Sequence, residues 1–425
     1  MKYVFSNYLI PEYNEYHDLI IFDTLHQHTV RILNKDIPKF DDLRIQILKN
    51  GEYDGSIDNL NILLQHKIIQ SSDHDFEEEL KNHYKNILKS NKILSLILLP
   101  TEQCNFRCIY CYEKYNLGKM SDLVMEKVVN LIEHLLPEYS ELNLSWFGGE
   151  PLLAMDVIRT ISSRVEQVCK NYQKPFYSQI TTNGYLLDID VMKELLKMHT
   201  MLFQITVDGD RETHNRQRCL VGGGKTYDRI INNLLAIKNT IKTKTIRIIV
   251  RVNVSPEMTI NEIHSLAKMF EDDDRFVINI QRIFETDNKN GVSLSQSDYL
   301  KTCVACKDYN KEELDANKTI CYAAKSNTLM VRSNGVLGKC TVNFEDPNNN
   351  FGNIIDLDIQ NFSLEAIDYC NSCMDLKRCR YCCIYPLCFA RQCPAHQKQN
   401  CKEAIDKFRI IVRTMSSQAD TLSII

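Results

Sequence analysis

Residues 93–115 read ILSLILLPTEQCNFRCIYCYEKY. The first eight form an apolar run closed by a proline, the pattern of a buried strand. The loop that follows holds Cys104, Cys108 and Cys111, spaced C-x3-C-x2-C. A structural zinc site or an ordinary iron–sulfur site wants four ligands, so three is one short. In a parallel α/β barrel the loops after the strand C-termini carry the chemistry, which gives this loop the address of a cofactor site. Three thiolates on a cubane of four irons leave one iron without a protein ligand, and that open position can take a substrate or cofactor.

Outward from this loop the chain alternates. Apolar, β-rich runs recur at LNLSWFGG, FYSQITTNG, LFQITVDG, IRIIVRVNV and FVINIQRIF. Between the runs lie helical patterns: DLVMEKVVNLIEHLL, VIRTISSRVEQVCKNY, IDVMKELLKM, YDRIINNLLAIKNTI and INEIHSLAKMF. Alternating βαβ units imply a parallel sheet with right-handed crossovers. Six strands and five helices over residues 93–285 fit either a partial (β/α)6 TIM-like barrel or an open doubly wound sheet.

Before this region, residues 1–92 read as one or two short strands with a turn in HDLIIFDTLHQHTVRIL, two short amphipathic helices in FDDLRIQILKNG and GSIDNLNILLQHKIIQ, and a solvated helical linker in EEELKNHYKNILKSN. After it, residues 286–425 lose the alternation. Asn and Cys are the commonest residues there, with one hairpin-like piece, LMVRSNGVLGKC, turned at SNG.

The totals narrow the class. Of 425 residues, 44% are hydrophobic and 25% charged, the profile of an ordinary globular protein. A net charge of -4 gives no footprint of a general nucleic-acid binder. No apolar stretch reaches membrane-spanning length, and the start lacks the basic and apolar regions of a secretory signal, so a cytoplasmic protein without a membrane partner is expected. Seventeen cysteines then need explaining, and metal or iron–sulfur ligation explains them better than disulfides in a reducing compartment.

On the cysteine loop and its strand, with Tyr110 between the last two cysteines, the chain resembles the radical S-adenosylmethionine (radical SAM) superfamily. The resemblance implies a [4Fe–4S] cluster on Cys104, Cys108 and Cys111, with S-adenosylmethionine chelated at the open iron and cleaved to a 5′-deoxyadenosyl radical. The cofactor supplies the hard chemistry and the protein orients and shields it. Gly148, Gly149, Glu150 and Pro151 match the superfamily's GGEP element. Two glycines allow close backbone approach, and a carboxylate can hold an ammonium. Thr182 and Asn183 of TTNG are candidate contacts to ribose hydroxyls or the methionine carboxylate, or simply a turn. Asp208 and Arg218 of TVDGDRETHNRQR resemble the family's Asp-Gly…His…Arg segment and are candidate cofactor contacts. Asp208 positioning a loop and Arg218 as a surface cation are the plainer alternatives. Arg251 and Asn253 are weaker candidates, since one face of a barrel strand points inward in any case.

The tail resembles the SPASM extension of such enzymes, which carries two auxiliary [4Fe–4S] clusters. Carried over residue by residue, Cys321, Cys340 and Cys383 would hold the first, with Cys306 preferred to Cys303 as its fourth ligand. Cys370, Cys373, Cys379 and Cys401 would hold the second. The family's Gly-Gly-Cys ending is Tyr381, Cys382, Cys383 here, so Cys382, Cys388 and Cys393 are extra and a ligand swap stays open. Zinc on the C-x2-C pairs is the alternative for this tail. Cys169 reads as core and Cys219 as a loop thiol.

Members with this tail mostly modify peptides or proteins. The first 92 residues resemble the small winged-helix-like peptide-binding domain of many peptide maturases, which adds a leader peptide to a sheet edge. The expected organisation is therefore 1–92 for peptide recognition, 93–285 for the partial barrel and 286–425 for the cysteine-rich iron–sulfur domain. The expected reaction is hydrogen abstraction from a ribosomally made precursor peptide with formation of a thioether or carbon–carbon crosslink, driven by a donor such as flavodoxin or ferredoxin. Formylglycine formation by an anaerobic sulfatase maturase has the same cysteine pattern, but that family places an Asp base near the first auxiliary cluster, and here Thr341 follows Cys340. The third alternative is a non-catalytic, metal-stapled binding protein.

Overall fold

The alternation of buried and half-buried side chains in ELNLSWFG shows how the central sheet is made. Leu142, Leu144 and Trp146 are buried beneath helices, while Asn143 and Ser145 stay partly exposed on the opposite face. The computed structural model describes residues 2–89, 92–283, 294–306 and 321–364, with residues 367, 405, 408, 409, 411–413 and 419–422. The chain divides into two compact units, one containing Met1–Ser90 and the later described residues from 405 onward, the other containing Asn91–Asp308 and Tyr322–Tyr369.

In the first unit, β1 (Tyr3–Phe5), β2 (Leu9–Tyr13), β3 (Leu19–Asp23) and β4 (His28–Ile32) precede α1 (Ile37–Asn50), α2 (Ile57–Gln65), β5 (Ile69–Ser71) and α3 (Phe76–Lys89). Strands β2, β3 and β4 form an antiparallel meander, and β1 pairs with β5. The left-handed Gly51 (φ 71°) ends α1, and the Ser56 side chain caps α2. Leu43, Leu63 and Ile68 from the helical side meet Val30 and Ile32 from the sheet in one apolar core.

A charged cluster closes the other side of this unit. His26 meets Asp23 at 2.7 Å and Glu79 at 2.9 Å, while Glu79 also meets His74 at 2.8 Å and Lys67 at 3.3 Å. Burial opposes the His26 charge, but the Asp23 and Glu79 hydrogen bonds outweigh it and raise the imidazole to about 9. The His26 hydrogen bond, with that of His74, holds the Glu79 carboxyl down at about 2 against burial. Glu79 therefore contributes stability above its ordinary 4.5, lost as pH falls toward 2; His26 contributes below its ordinary 6.5, lost as pH rises toward 9. The melting temperature of this unit should peak between those two ordinary values. His26→Ala should remove the alkaline limb and cost about 2 kcal/mol, read by circular dichroism melts across pH. An unchanged alkaline limb in that variant would contradict the assignment.

The second unit is built on β6 (Ile93–Thr101), β7 (Phe106–Cys108), α4 (Asp122–Leu135), β8 (Glu141–Gly148), α5 (Met155–Asn171), β9 (Phe176–Thr182), α6 (Ile189–Lys197), β10 (Thr200–Thr206), α7 (Arg211–Gln217), β11 (Arg218–Leu220), α8 (Tyr227–Thr240), β12 (Arg247–Val254), α9 (Ile260–Lys268) and β13 (Phe276–Arg282). Side-chain caps from Ser121, Asp188, Asp210 and the Thr259–Glu262 capping box start four of the helices. All six strands expected from the sequence pair in parallel, in the order β6-β8-β9-β10-β12-β13. This order never reverses, whereas a doubly wound sheet turns back at a switch point. The fold is the partial barrel. One face lies under the helices in a continuous apolar core. The other carries half-exposed polar residues, among them Ser145, Gln179, Gln204, Arg251, Asn279 and Gln281.

The sheet extends beyond what the βαβ pattern implies. After α10 (Gln296–Ala305), β14 (Thr328–Val331) adds in parallel to β6, and β15 (Leu337–Gly338) pairs back antiparallel. The hairpin read from LMVRSNGVLGKC is present, but it joins the barrel sheet instead of standing in a separate tail. Finally β16 (Asp420–Leu422) pairs in parallel with β4 of the first unit. No described helix is long and apolar enough to cross a membrane.

Candidate functional site

The cysteine loop leaves the C-terminal end of β6, and three sets of contacts fix it there. The first is backbone. Within the loop, the short strand β7 pairs antiparallel with β11, placing Cys108 opposite Arg218. The Cys111 amide donates to the Cys108 carbonyl at 3.1 Å, closing a turn. The Phe106 amide donates to the Cys104 sulfur at 3.3 Å.

The second set comes from GGEP at the end of β8. The Glu150 amide donates to the Gln103 carbonyl at 2.9 Å. A Cβ on Gly149 would stand 2.3 Å from that same carbonyl oxygen, and one on Gly148 (φ 106°) 2.4 Å from the Thr101 carbonyl oxygen. Both obstacles are backbone, so a side chain here pushes directly on the loop. Gly149→Ala should cost about 1–3 kcal/mol and lower the iron retained after anaerobic reconstitution more than it lowers helicity. Full iron content in that variant would show that the close approach is dispensable.

Glu150 itself is fully buried. One oxygen accepts from the Thr182 hydroxyl at 2.7 Å and the Leu152 amide at 3.0 Å; the other accepts from the Asn183 amide at 2.7 Å. Burial raises its carboxyl above the ordinary range against these hydrogen bonds. The carboxylate expected to hold an ammonium is thus engaged in tying β8 to β9. Asn183 in turn directs its side-chain amide to Asn105 at 2.8 Å and to the Cys104 sulfur at 3.9 Å. TTNG is therefore more than a turn.

The third set centres on the Tyr110 hydroxyl. It donates to Asp208, and accepts from Arg218 at 2.6 Å and from the Asn253 side chain at 3.1 Å. Asp208 also accepts from the Asn253 amide at 2.8 Å and lies 4.0 Å from the Arg218 guanidinium. Asp208 and Arg218 are both buried, so Arg218 is not a surface cation. Burial raises the Asp208 carboxyl against the Arg218 charge. Arg251 reaches Asn253 at 2.8 Å, so the two strand residues ranked lowest belong to this network.

A fourth connection has no signal in the motifs. Buried Glu102, two residues before Cys104, receives a two-pronged contact from Arg332 at 3.0 and 2.7 Å. Arg332 follows β14 and lies over the Phe344 ring at 4.8 Å.

The donor set suits a cluster better than a single ion. Among the described residues, no three His, Cys, Asp or Glu side chains could hold one metal ion. A four-iron cluster takes each thiolate on a different iron, and these three thiols share one loop. Burial pushes the Cys104 thiol up to about 12 against the Phe106 amide, and the Cys108 thiol up to about 11 against the Arg218 charge. Metal loading must therefore displace protons here.

Of the cysteines assigned to the tail, Cys340 is buried, its amide bonded to Asn349 at 2.9 Å, and Cys303 and Cys306 pack partly buried against the barrel core. Cys321 is half-buried. Cys370, Cys373, Cys379, Cys382, Cys383, Cys388, Cys393 and Cys401 lie outside the described residues. Cys169 is core, as its helical pattern implies. Cys219 sits in β11 and approaches the Arg107 carbonyl at 3.6 Å, not in a loop.

Comparison with known proteins agrees with this geometry. Residues 98–270 match the profile of the radical SAM superfamily. A cysteine-type anaerobic sulfatase-maturating enzyme of Clostridium novyi is 28% identical over 221 residues, 49% of this chain and 57% of that protein. The radical SAM cyclopropyl synthase TigE of Paramaledivibacter caminithermalis is 24% identical over 192 residues, 41% of this chain and 37% of its own. The chain thus spans about half the length, or less, of the curated relatives that it matches. Among solved structures, native anSMEcpe with bound AdoMet and Cp18Cys peptide superposes with a TM-score of 0.55 at 22% identity, over 74% of this chain and 96% of that one. Streptococcus suis SuiB bound to precursor peptide SuiA superposes with a TM-score of 0.51 at 14% identity, over 91% and 95%. At these identities the structures share the fold. With the cysteine loop at the mouth of a parallel partial barrel, residues 98–270 of this chain form a radical SAM domain.

Proposed function

We propose that the chain is a radical SAM enzyme that takes a hydrogen atom from a residue of a ribosomally made precursor peptide and installs a thioether or carbon–carbon crosslink. The observation that carries this reading is the cysteine loop, three thiols fixed at the C-terminal mouth of the barrel by hydrogen bonds from the ends of β8, β9 and β10 and from β11 and β12. When bound, a [4Fe–4S] cluster and S-adenosylmethionine would supply a 5′-deoxyadenosyl radical. Cys104, Cys108 and Cys111 would hold that cluster. Gly148 and Gly149 let the β8 end press on the loop, and Glu150 positions Thr182 and Asn183. Tyr110, Asp208, Arg218 and Asn253 keep the loop in place, and the half-exposed polar face of the sheet would suit a polar cofactor and substrate.

The finer assignments rest on the resemblance. Cys306, Cys321, Cys340 and Cys383 would hold one auxiliary cluster, and Cys370, Cys373, Cys379 and Cys401 the second. The first unit would recognise the leader of the precursor, and a flavodoxin or ferredoxin would supply the electron. The peptide named in the SuiB structure supports a peptide substrate. The sulfatase-maturating relative favours a second reading, formylglycine formation on a sulfatase.

The test is anaerobic. The protein is reconstituted, reduced and given S-adenosylmethionine, and iron, sulfide and 5′-deoxyadenosine are measured. About twelve irons per chain with deoxyadenosine support three clusters and radical chemistry. Zinc in place of iron and no deoxyadenosine would leave a metal-stapled binding protein. Supplying a candidate precursor or a sulfatase peptide, and following its mass, separates the two enzyme readings.

A further inference from the structure

A cation withdrawn from water is normally met by a carboxylate or by several acceptors. Arg251 lacks both. It lies on the half-exposed polar face of the sheet, at the middle of β12, and the residues level with it in register, Thr206 of β10 and Asn279 of β13, are neutral. Its Nε–H donates to the Asn253 side chain at 2.8 Å, and its two terminal nitrogens have no partner among the described residues. The carboxylate whose charge reaches Arg251 is Asp208. That carboxylate is engaged: it accepts from Tyr110 and from the Asn253 amide and stands 4.0 Å from Arg218. Two guanidinium groups thus stand around one carboxylate, and the surplus charge is at Arg251. We infer that Arg251 binds a carboxylate of the substrate peptide, an Asp or Glu side chain or the C-terminal carboxylate, and so selects a peptide with an anion beside the residue to be modified. This inference rests on the peptide-substrate reading above.

The surroundings leave the charge unmet. Burial lowers the Arg251 guanidinium below its ordinary range, against the pull of Tyr110, Tyr112, Asp208 and Tyr299. The Tyr110 hydroxyl is already shared by Asp208, Arg218 and Asn253, and the Tyr299 hydroxyl donates to the Ile280 carbonyl at 3.1 Å. An unpaired cation in a partly dehydrated place lowers stability, and folds keep such a feature where an incoming ligand removes the conflict. A guanidinium and a carboxylate meet through two parallel N–H···O bonds. The two terminal nitrogens left over on Arg251 can form that fork. An unmodified peptide carries no anion other than a carboxylate, which fixes the chemical class. Arg218 is not an equivalent site, because it faces Cys108 across the β7–β11 ladder and donates to Tyr110, so it serves the loop. Asn253 is where β12 touches the loop. Arg251 stands two residues before it, one layer further from the thiols along the strand.

The test uses the full chain, reconstituted anaerobically, and reads melting temperature by circular dichroism. The probes are N-acetyl-Gly-Asp-Gly-amide, its Gly-Asn-Gly counterpart, N-acetyl-triglycine with a free carboxylate, and succinate. Each is supplied at equal ionic strength and about 10 mM, where a millimolar binder gives a readable stabilisation. The aspartyl probe, the triglycine probe or both should raise the melting temperature, and the asparaginyl probe should not; the probe that works names the source of the carboxylate. Arg251→Met should abolish the rise, and Arg251→Lys, which keeps a charge but not the fork, should retain part of it. Without any probe Arg251→Met should melt no lower than the wild type, since it removes a charge that nothing in the free protein neutralises. A fall of more than about 4 °C marks a structural arginine and overturns the inference. A tenfold loss of S-adenosylmethionine affinity in Arg251→Met gives the residue to the cofactor and overturns it too. No rise with any probe overturns this inference alone, and the peptide reading then stands or falls by the mass of the supplied precursor. A rise with succinate and with no peptide overturns both.

Discussion

Replacing Cys104, Cys108 or Cys111 by alanine is expected to reduce 5′-deoxyadenosine formation to the level of metal-free protein, and to remove about four irons per chain while leaving the others. The two effects belong together. Each thiol is placed by a separate contact: Cys104 by the Phe106 amide and Asn183, Cys108 by the β7–β11 ladder, Cys111 by the turn to Cys108. No other described cysteine lies in this loop to substitute. Serine in place of each cysteine keeps the volume but offers a poor iron ligand, so it should fail equally. An alanine variant that still cleaves S-adenosylmethionine would refute the cluster assignment.

The second large effect is expected at Asp208. Asp208→Ala leaves the Arg218 guanidinium buried without its carboxylate, and breaking a buried pair costs about 3–5 kcal/mol, or roughly 10 °C in melting temperature for a domain of this size. Tyr110→Phe removes the shared hydroxyl and strands two donors, for about 1–3 kcal/mol. Because Tyr110, Asp208 and Arg218 touch one another, the double variant should lose less than the sum, with a coupling of about 1 kcal/mol or more. Iron content should fall in parallel, since Tyr110 sits between two of the thiols. If Asp208→Asn instead keeps both melting temperature and iron while losing cofactor cleavage, Asp208 contacts the cofactor, as the motif alone suggests.

The strands and helices of the barrel were legible because each run is long, apolar and repeated in a fixed alternation, and because the cysteines follow a strand that needs no tertiary information to identify. The contacts that hold the loop were legible only as residue types. Glu150 reads as a free carboxylate in the string, yet it faces two amides and a hydroxyl supplied by its own loop and by β9. Tyr110 reads as an aromatic spacer, and nothing local shows that its hydroxyl meets β12. The Glu102–Arg332 pair joins residues 230 apart, and the four-residue strand beside β6 carries no βαβ rhythm. The described residues of β16 are too few for any period to register.

The placement of β14 beside β6 has a consequence for how the protein is made. β6 is the strand that launches the cysteine loop, and its second neighbour lies 233 residues downstream, Ser95 opposite Thr328. At a ribosomal rate of about 5–20 residues per second, that neighbour emerges roughly ten to fifty seconds after β6 does. Through that interval the nascent chain presents ILSLILL with one flank uncovered and three reduced thiols at its end. The hazard during synthesis is greatest in the segment on which iron must later be assembled, and a cell making this protein gains from delivering iron only after the ribosome has passed β14.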